Sequence, residues 1–319
     1  MSAPSLTPSK AGRSRHSTPR QEAPAAPGGV FAKNLRRNLT AHSFLIGAVL
    51  CFAVFSWYPM VREFVLAFQK TESGESVWVG LDNFRTVFND PAFWQAWGNT
   101  LWYTALALVL GFVVPFALAI TINEFQHGKS YLRLLVYLPV MLPPVAAVLL
   151  FQYLYDPGYG LLNELLGFLH LPEQQWLQDA DIAMFSLVIA STWMNMGGAT
   201  LIYLAALQGI PGELYEAVEL DGAGLFRKIW HVTIPQTRLI LSLMLLMQII
   251  ATMQVFVEPF LLTGGAGPEG STTTVVYLIY QYAFNFNNYG AAAALGLLLL
   301  VLLAGFSAAY VKLSRAEDE

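Results

Sequence analysis

The residues best suited to chemistry in this 319-residue chain are neutral polar side chains set inside apolar runs. Ser191 and Asn195 stand four apart in one run, with Gly198 a turn further on, and Gln248, Thr252 and Val255 follow i, i+4, i+7 spacing in another. Such spacing places each set on one face of a helix. Amides and hydroxyls donate and accept hydrogen bonds without a fixed charge, which suits the hydroxyls of a sugar. Trp193 adds a ring on which a sugar's C–H face could stack. The competing reading is that these groups join helix to helix within a membrane.

Covalent chemistry has no visible support. The chain lacks G-x-x-x-x-G-K-[ST], H-E-x-x-H and G-x-S-x-G, so any energy from a nucleotide must enter through a partner. Cys51, the single cysteine, lies in an apolar run and reads as a small hydrophobe. His231 has neither nucleophile nor metal ligand paired with it. Glu258, beside Pro259, reads as an interface or helix-end carboxylate rather than a sugar ligand. No catalytic residue and no metal site is assigned.

The elements that position these residues follow from composition. The chain is 55% hydrophobic and 12% charged, with a mean hydropathy of +0.50, whereas a soluble domain is about a quarter charged. Its 17 Lys+Arg and 21 Asp+Glu cannot coat a core holding 21 Phe, 14 Tyr and 8 Trp. The net charge of −4 gives no reason to expect nucleic acid as a partner. A membrane-spanning helix needs about 20 apolar residues. Stretches free of Asp, Glu, Lys and Arg occur at 43–61, 101–123, 134–155, 182–211, 239–257 and 270–311, the last interrupted by Asn285, Asn287 and Asn288. They predict an all-α integral membrane protein with spans at about 43–66, 99–123, 133–155, 182–207, 239–262 and 287–311. Fourteen of the 17 Lys and Arg residues fall on the side of the N-terminus, which predicts that both termini are cytoplasmic.

Residues 1–40 are rich in Ser, Pro, Ala and Gly and read as a disordered cytoplasmic tail rather than a secretory signal, followed by a membrane domain at 41–312 and a short cytoplasmic tail at 313–319. The basic residues of the first tail either touch anionic lipid or stay solvated. Val79–Phe84 and Asp90–Trp94 mix turn formers with aromatics, the pattern of an amphipathic helix at the membrane interface. Pro139, Pro143 and Pro144 predict a bend in the third span, either beside a translocation path or as a matter of packing.

The loop at 208–238 is polar, long and patterned. Pro211 and Gly212 break the incoming helix, and Glu213, Glu216 and Glu219 favour a new one. Asp221-Gly222-Ala223-Gly224 ends it, and a second short helix runs from Leu225 to His231, with Pro235 marking the start of the next span. The two short helices either dock into a groove of a soluble partner or cap the bundle.

These residues resemble the membrane subunits of bacterial ABC importers, and among them the maltose/lactose-type carbohydrate permeases. The family signature is Glu-Ala-Ala, three residues, Gly, nine residues, then Ile-x-Leu-Pro. Here it stands as Glu216-Ala217-Val218, Gly222 and Val232-Thr233-Ile234-Pro235, with the spacing intact and three aliphatic replacements. Val79-Gly80-Leu81-Asp82-Asn83-Phe84, Leu138-Pro139 through Pro143-Pro144, Tyr159-Gly160-Leu161-Leu162-Asn163, Ala205 through Pro211 and Leu261-Leu262-Thr263-Gly264-Gly265 also look like that family's segments, in the same order. The resemblance covers about residues 43–312.

The resemblance implies a six-helix type I importer permease fold in the bacterial plasma membrane. It implies that the loop forms coupling helices seated in a cleft of a cytoplasmic ATPase dimer. Glu216 would touch that partner, with Ala217, Asp221 and Ala223 beside it, Gly222 permitting the turn and Pro235 closing the motif. ATP and Mg would sit on the ATPase, with no cofactor on this chain. Further partners implied are a second, homologous permease, making a heterodimer, an extracytoplasmic solute-binding protein and the sugar itself. The same resemblance places solute contacts in the fourth and fifth spans, at Ser191, Trp193, Asn195, Gln248 and Thr252. The alternatives are a non-sugar solute or an ion-coupled secondary transporter, which normally needs ionisable groups in the spans. A membrane enzyme lacks a cluster of His, Asp or Cys.

Overall fold

The computed structural model describes residues 45–72, 75–125 and 127–317. The N-terminal tail at 1–40 lies outside them. Residues 1–59 and 60–319 form separate units. In the first, the described chain is helical and apolar, with a wide π-turn at Ala53–Trp57. Five helices among the described residues are long and apolar enough to cross a membrane: Leu45–Leu66 (α1), Pro91–Glu124 (α3), Ala180–Gln208 (α7), Leu225–Leu262 and Tyr289–Lys312. A bent pair, Lys129–Met141 (α4) and Pro144–Leu154 (α5), makes a sixth if counted as one span.

The chain is not wholly helical. Strands β1 (Gln69–Glu72) and β2 (Glu75–Trp78) pair antiparallel, with Gln69 opposite Trp78. Nothing in the sequence pattern announces this hairpin. It is anchored by the side chain of Asn83, which is buried on α2 (Asp82–Asn89) and donates to the carbonyls of Ala67 and Gln69, at 2.9 Å each. Buried carbonyls need such donors.

The segment at Asp90–Trp94 is not a separate interfacial helix. Asp90 accepts from the Ala92 amide at 2.8 Å and Pro91 opens α3, so the long helix starts eight residues before the expected 99. Asp90 also accepts from the Tyr282 hydroxyl at 2.5 Å. Burial, together with this carboxylate, pushes the Tyr282 hydroxyl well above its usual range, so it remains a donor.

The third span departs most from expectation. Instead of one kinked helix, α4 and α5 meet at 96°. A residue before proline is driven out of the helical region. Pro143 and Pro144 act in succession, and both Leu142 (ψ 139°) and Pro143 (ψ 134°) are extended.

Helix α7 is the axis of the second unit, with α3 and α4 lying along it. Lipid is as apolar as leucine, so close approach and packing hold such helices together. Gly197 provides it: a Cβ there would stand 2.5 Å from the Val136 carbonyl oxygen and 2.9 Å from the Tyr137 Cα, both on α4. Tyr103, Val148, Phe151, Tyr155, Leu187 and Val188 form a buried cluster around the N-terminal half of α7, where the Tyr155 hydroxyl donates to the Ser186 carbonyl at 2.8 Å. Short helices complete the unit at Leu161–Phe168 (α6), Gly212–Leu220 (α8), Leu225–Lys228 (α9), Val257–Leu262 (α11) and Val275–Tyr280 (α12), and the longer Ile234–Met253 (α10) runs between α9 and α11. The last helix, Tyr289–Glu317 (α13), continues through most of the expected C-terminal tail.

Candidate functional site

The expected residues fall in two places: an exposed loop and the lining of a cavity. In the loop, α8 ends in a tight reversal. Asp221 caps it and Gly222 takes φ +73°. The Gly222 amide donates to the Glu219 carbonyl at 2.9 Å and the Ala223 amide to the Val218 carbonyl at 3.2 Å. This crossed pair of bonds is the glycine-terminated helix stop known as the Schellman motif.

Beyond the turn, the structure corrects the expected boundary at Pro235. The second stretch is not an isolated short helix. α9 passes through a π-turn at Ile229–Thr233 straight into α10. In that turn the Ile234 amide donates to the Ile229 carbonyl, five residues back. Proline cannot donate and its ring disturbs the preceding turn, and the widened turn just before Pro235 absorbs both effects.

Two contacts brace the loop. The hydroxyls of Tyr215 and Thr233 are hydrogen-bonded at 3.2 Å, and Lys228 forms an ion pair with Glu219. Glu216, Ala217, Asp221, Gly222 and Pro235 are exposed, while Ala223 is buried. Large apolar side chains stand out beside them: Leu220 is 90% exposed, Phe226 88% and Trp230 70%.

The cavity, of about 300 Å³, lies among α3, α7, α10 and the start of α11. Ser191, Asn195, Gln248 and Thr252 all line it, as does Val255, so the two helical stripes do face each other. Gln248 Nε2 reaches back to the Ala107 carbonyl at 3.4 Å, and Asn195 Nδ2 donates to the Ser191 carbonyl at 2.9 Å. Trp193 is not brought to the cavity. At about 100° per residue it points away from Ser191 and Asn195, and it packs edge-on to Phe151, with centroids 5.4 Å apart.

Sequence reasoning missed Tyr103, Thr192 and Glu258, which line the same space. Glu258 does stand at a helix end, in the first turn of α11, and it lines the cavity as well. The chain breaks at Gln254–Phe256, and α11 returns Glu258 to the cavity, where Ser191 Oγ donates to its Oε1 at 3.0 Å. The signal was present: Glu258 is the single charged residue between Arg238 and Glu269. An ionisable side chain in such a run is a functional candidate by default. Among the described residues no group of three His, Cys, Asp or Glu is placed to hold a metal ion.

Residues 114–316 match the family described as the binding-protein-dependent transport system inner membrane component. The chain belongs to this family. It is a multi-pass membrane permease subunit, not an enzyme. Among its relatives, the arabinooligosaccharides transport system permease protein AraP of Bacillus subtilis is 33% identical over 83% of this chain and 85% of its own. The trehalose/maltose transport system permease protein MalF of Thermococcus litoralis is 32% identical over 85% of this chain and 91% of its own.

A solved bacterial ABC transporter that imports the acidic polysaccharide alginate superimposes on 90% of the permease and 98% of its own chain. The TM-score is 0.79 and the identity 25%. That transporter in complex with its alginate pentasaccharide-bound periplasmic protein matches with a TM-score of 0.78 over 89% of this chain and 96% of its own. The type I importer permease fold is therefore present. In the permease, loop and cavity are physically one object, because the helix that leaves the loop as α9 lines the cavity as α10.

Proposed function

We propose that the permease forms half of the translocation pathway of an ATP-driven carbohydrate importer in the bacterial plasma membrane, with both termini in the cytoplasm. The observation that carries this reading is the exposed loop of α8 and α9. A soluble-facing surface does not leave Leu220, Phe226 and Trp230 together in water without a partner. The partner in this reading is a cytoplasmic ATPase dimer that binds ATP and Mg, and the likeness to a solved ABC transporter supports that class.

Glu216, Ala217, Asp221 and Gly222 present the docking face. Ala223 and Pro235 hold its shape. A second, homologous permease closes the other half of the pathway, and a solute-binding protein delivers the cargo from outside. Relatives that carry arabino-oligosaccharides, trehalose and maltose support a carbohydrate as solute, as does a cavity lined by Ser191, Asn195, Gln248 and Thr252. The clustering of Lys and Arg on the side of the loop supports the orientation.

The test is Glu216→Ala in the co-purified complex reconstituted with the loaded binding protein. ATP hydrolysis stimulated by that protein is expected to fall by about tenfold, equivalent to about 1.4 kcal/mol of lost coupling. Full stimulation and full uptake in the variant would refute the docking assignment.

A further inference from the structure

The coupling reading makes no use of the carboxylate in the cavity. Glu258 lines the 300 Å³ space and also a neighbouring cavity of about 240 Å³ bounded by Pro139, Leu142 and Pro144 at the break between α4 and α5. Asn195 and Val257 are the other residues common to both. Glu258 and Asn195 thus stand where the two spaces meet, and the broken third span forms the far wall.

The chemistry of this junction is one-sided. Neither cavity is lined by Lys, Arg or His. Ser191 Oγ supplies one hydrogen bond to Oε1 of Glu258, while a carboxylate offers about four acceptor positions. Asn195 and Gln248 add neutral amides, and buried Tyr103 adds a hydroxyl-bearing ring to the same lining. Vicinal hydroxyls of a neutral saccharide can donate to the acceptor positions that remain. A second carboxylate would meet like charge with no cation in either lining to offset it.

At the separations possible inside a cavity of this size, such repulsion weakens binding by about one to two orders of magnitude. The fold does not itself demand a neutral cargo, since the alginate importer carries an acidic one on the same architecture.

We propose that Glu258, held by Ser191 at the junction of the two cavities, is a charge filter that accepts the hydroxyls of neutral saccharides and excludes saccharides bearing carboxylates. The proposal rests on the carbohydrate reading above.

It is tested on the full complex of both permeases and the ATPase, without the solute-binding protein, so that no upstream selection enters. Saturation-transfer NMR measures the binding of maltose and trehalose and of their counterparts oxidised to the carboxylate at C6. Wild type is expected to favour the neutral sugars by at least about tenfold. In Glu258→Gln the neutral sugars should weaken by about threefold and the acidic ones strengthen, so that the preference disappears. Glu258→Asp, which keeps the charge, should retain the preference.

An unchanged preference in Glu258→Gln overturns the filter, as does its loss in Glu258→Asp, which would make side-chain shape the cause. If wild type binds neutral and acidic sugars alike, the filter also fails, although the carbohydrate reading stands. If wild type binds neither class, the carbohydrate reading itself falls.

Discussion

Gly222 offers a graded perturbation whose size can be worked from local geometry. Its φ of +73° is one that L side chains rarely adopt, yet a Cβ built there meets nothing within 4 Å. Substitution therefore costs backbone strain alone, with no clash. A left-handed conformation costs an ordinary L residue about 1–2 kcal/mol, least for asparagine and most for a β-branched side chain.

The crossed bonds at Glu219 and Val218 that the turn secures are worth about 1 kcal/mol each, so strain of this size competes with them directly. Gly222→Asn should stay close to wild type, Gly222→Ala should lose about fivefold in ATP-driven uptake, and Gly222→Val about thirtyfold, following about 1 and 2 kcal/mol. Membrane insertion should be equal in all three, because the strain is confined to an exposed turn. The assay is uptake into proteoliposomes alongside basal ATP hydrolysis, with the amount of inserted protein measured in parallel. Uptake by Gly222→Val at the wild-type level would refute the reasoning, and so would a Gly222→Asn variant as impaired as Gly222→Val.

Gly197→Ala places a methyl group against backbone atoms of α4 that cannot swing aside, and should destabilise the purified protein by about 1–3 kcal/mol, read as a lower melting temperature in detergent. Gly111→Ala should behave differently. Its Cβ would stand 2.7 Å from Gln248 Nε2, the end of a flexible side chain, so stability should change by less than about 0.5 kcal/mol while solute affinity, measured by equilibrium binding, shifts as Gln248 is displaced. Asn83→Ala leaves the Ala67 and Gln69 carbonyls without their donor and should cost about 1–3 kcal/mol locally, seen as faster hydrogen exchange in the β1–β2 hairpin with α7 unaffected.

Features with a strong local cause are visible in the sequence. Apolar runs long enough to cross a bilayer mark the long helices, and the Asp221-Gly222 stop is written in the one residue type that takes positive φ without strain. Stripes at helical spacing correctly group Ser191 with Asn195 and Gln248 with Thr252, since period alone determines which side chains share a face. The break between α4 and α5 is only half legible: Pro143 and Pro144 announce a bend, but its 96° depends on the helices that receive the two halves.

Other features depend on relations between elements, which periodicity does not carry. Pro235 reads as a boundary because an ordinary turn cannot hold it, whereas the π-turn at Ile229–Thr233 can. Residue type groups Trp193 with its polar neighbours, although a two-residue offset sends it to the opposite side of the helix. Glu258 becomes a cavity residue only through the break in the helix at Gln254–Phe256.

The uninterrupted path from α9 through α10 has a mechanical consequence. Phe226 and Thr252 are 26 residues apart along it, or roughly 39 Å at helical rise. A stiff rod of that length tilting by about 10° around its midpoint carries each tip sideways by roughly 3.4 Å, in opposite directions. A shove of a few ångströms at Phe226 would therefore reappear at Thr252 with its sense reversed, about the width of one hydroxyl-to-hydroxyl contact, so no chain of intermediate side chains is required between the two ends.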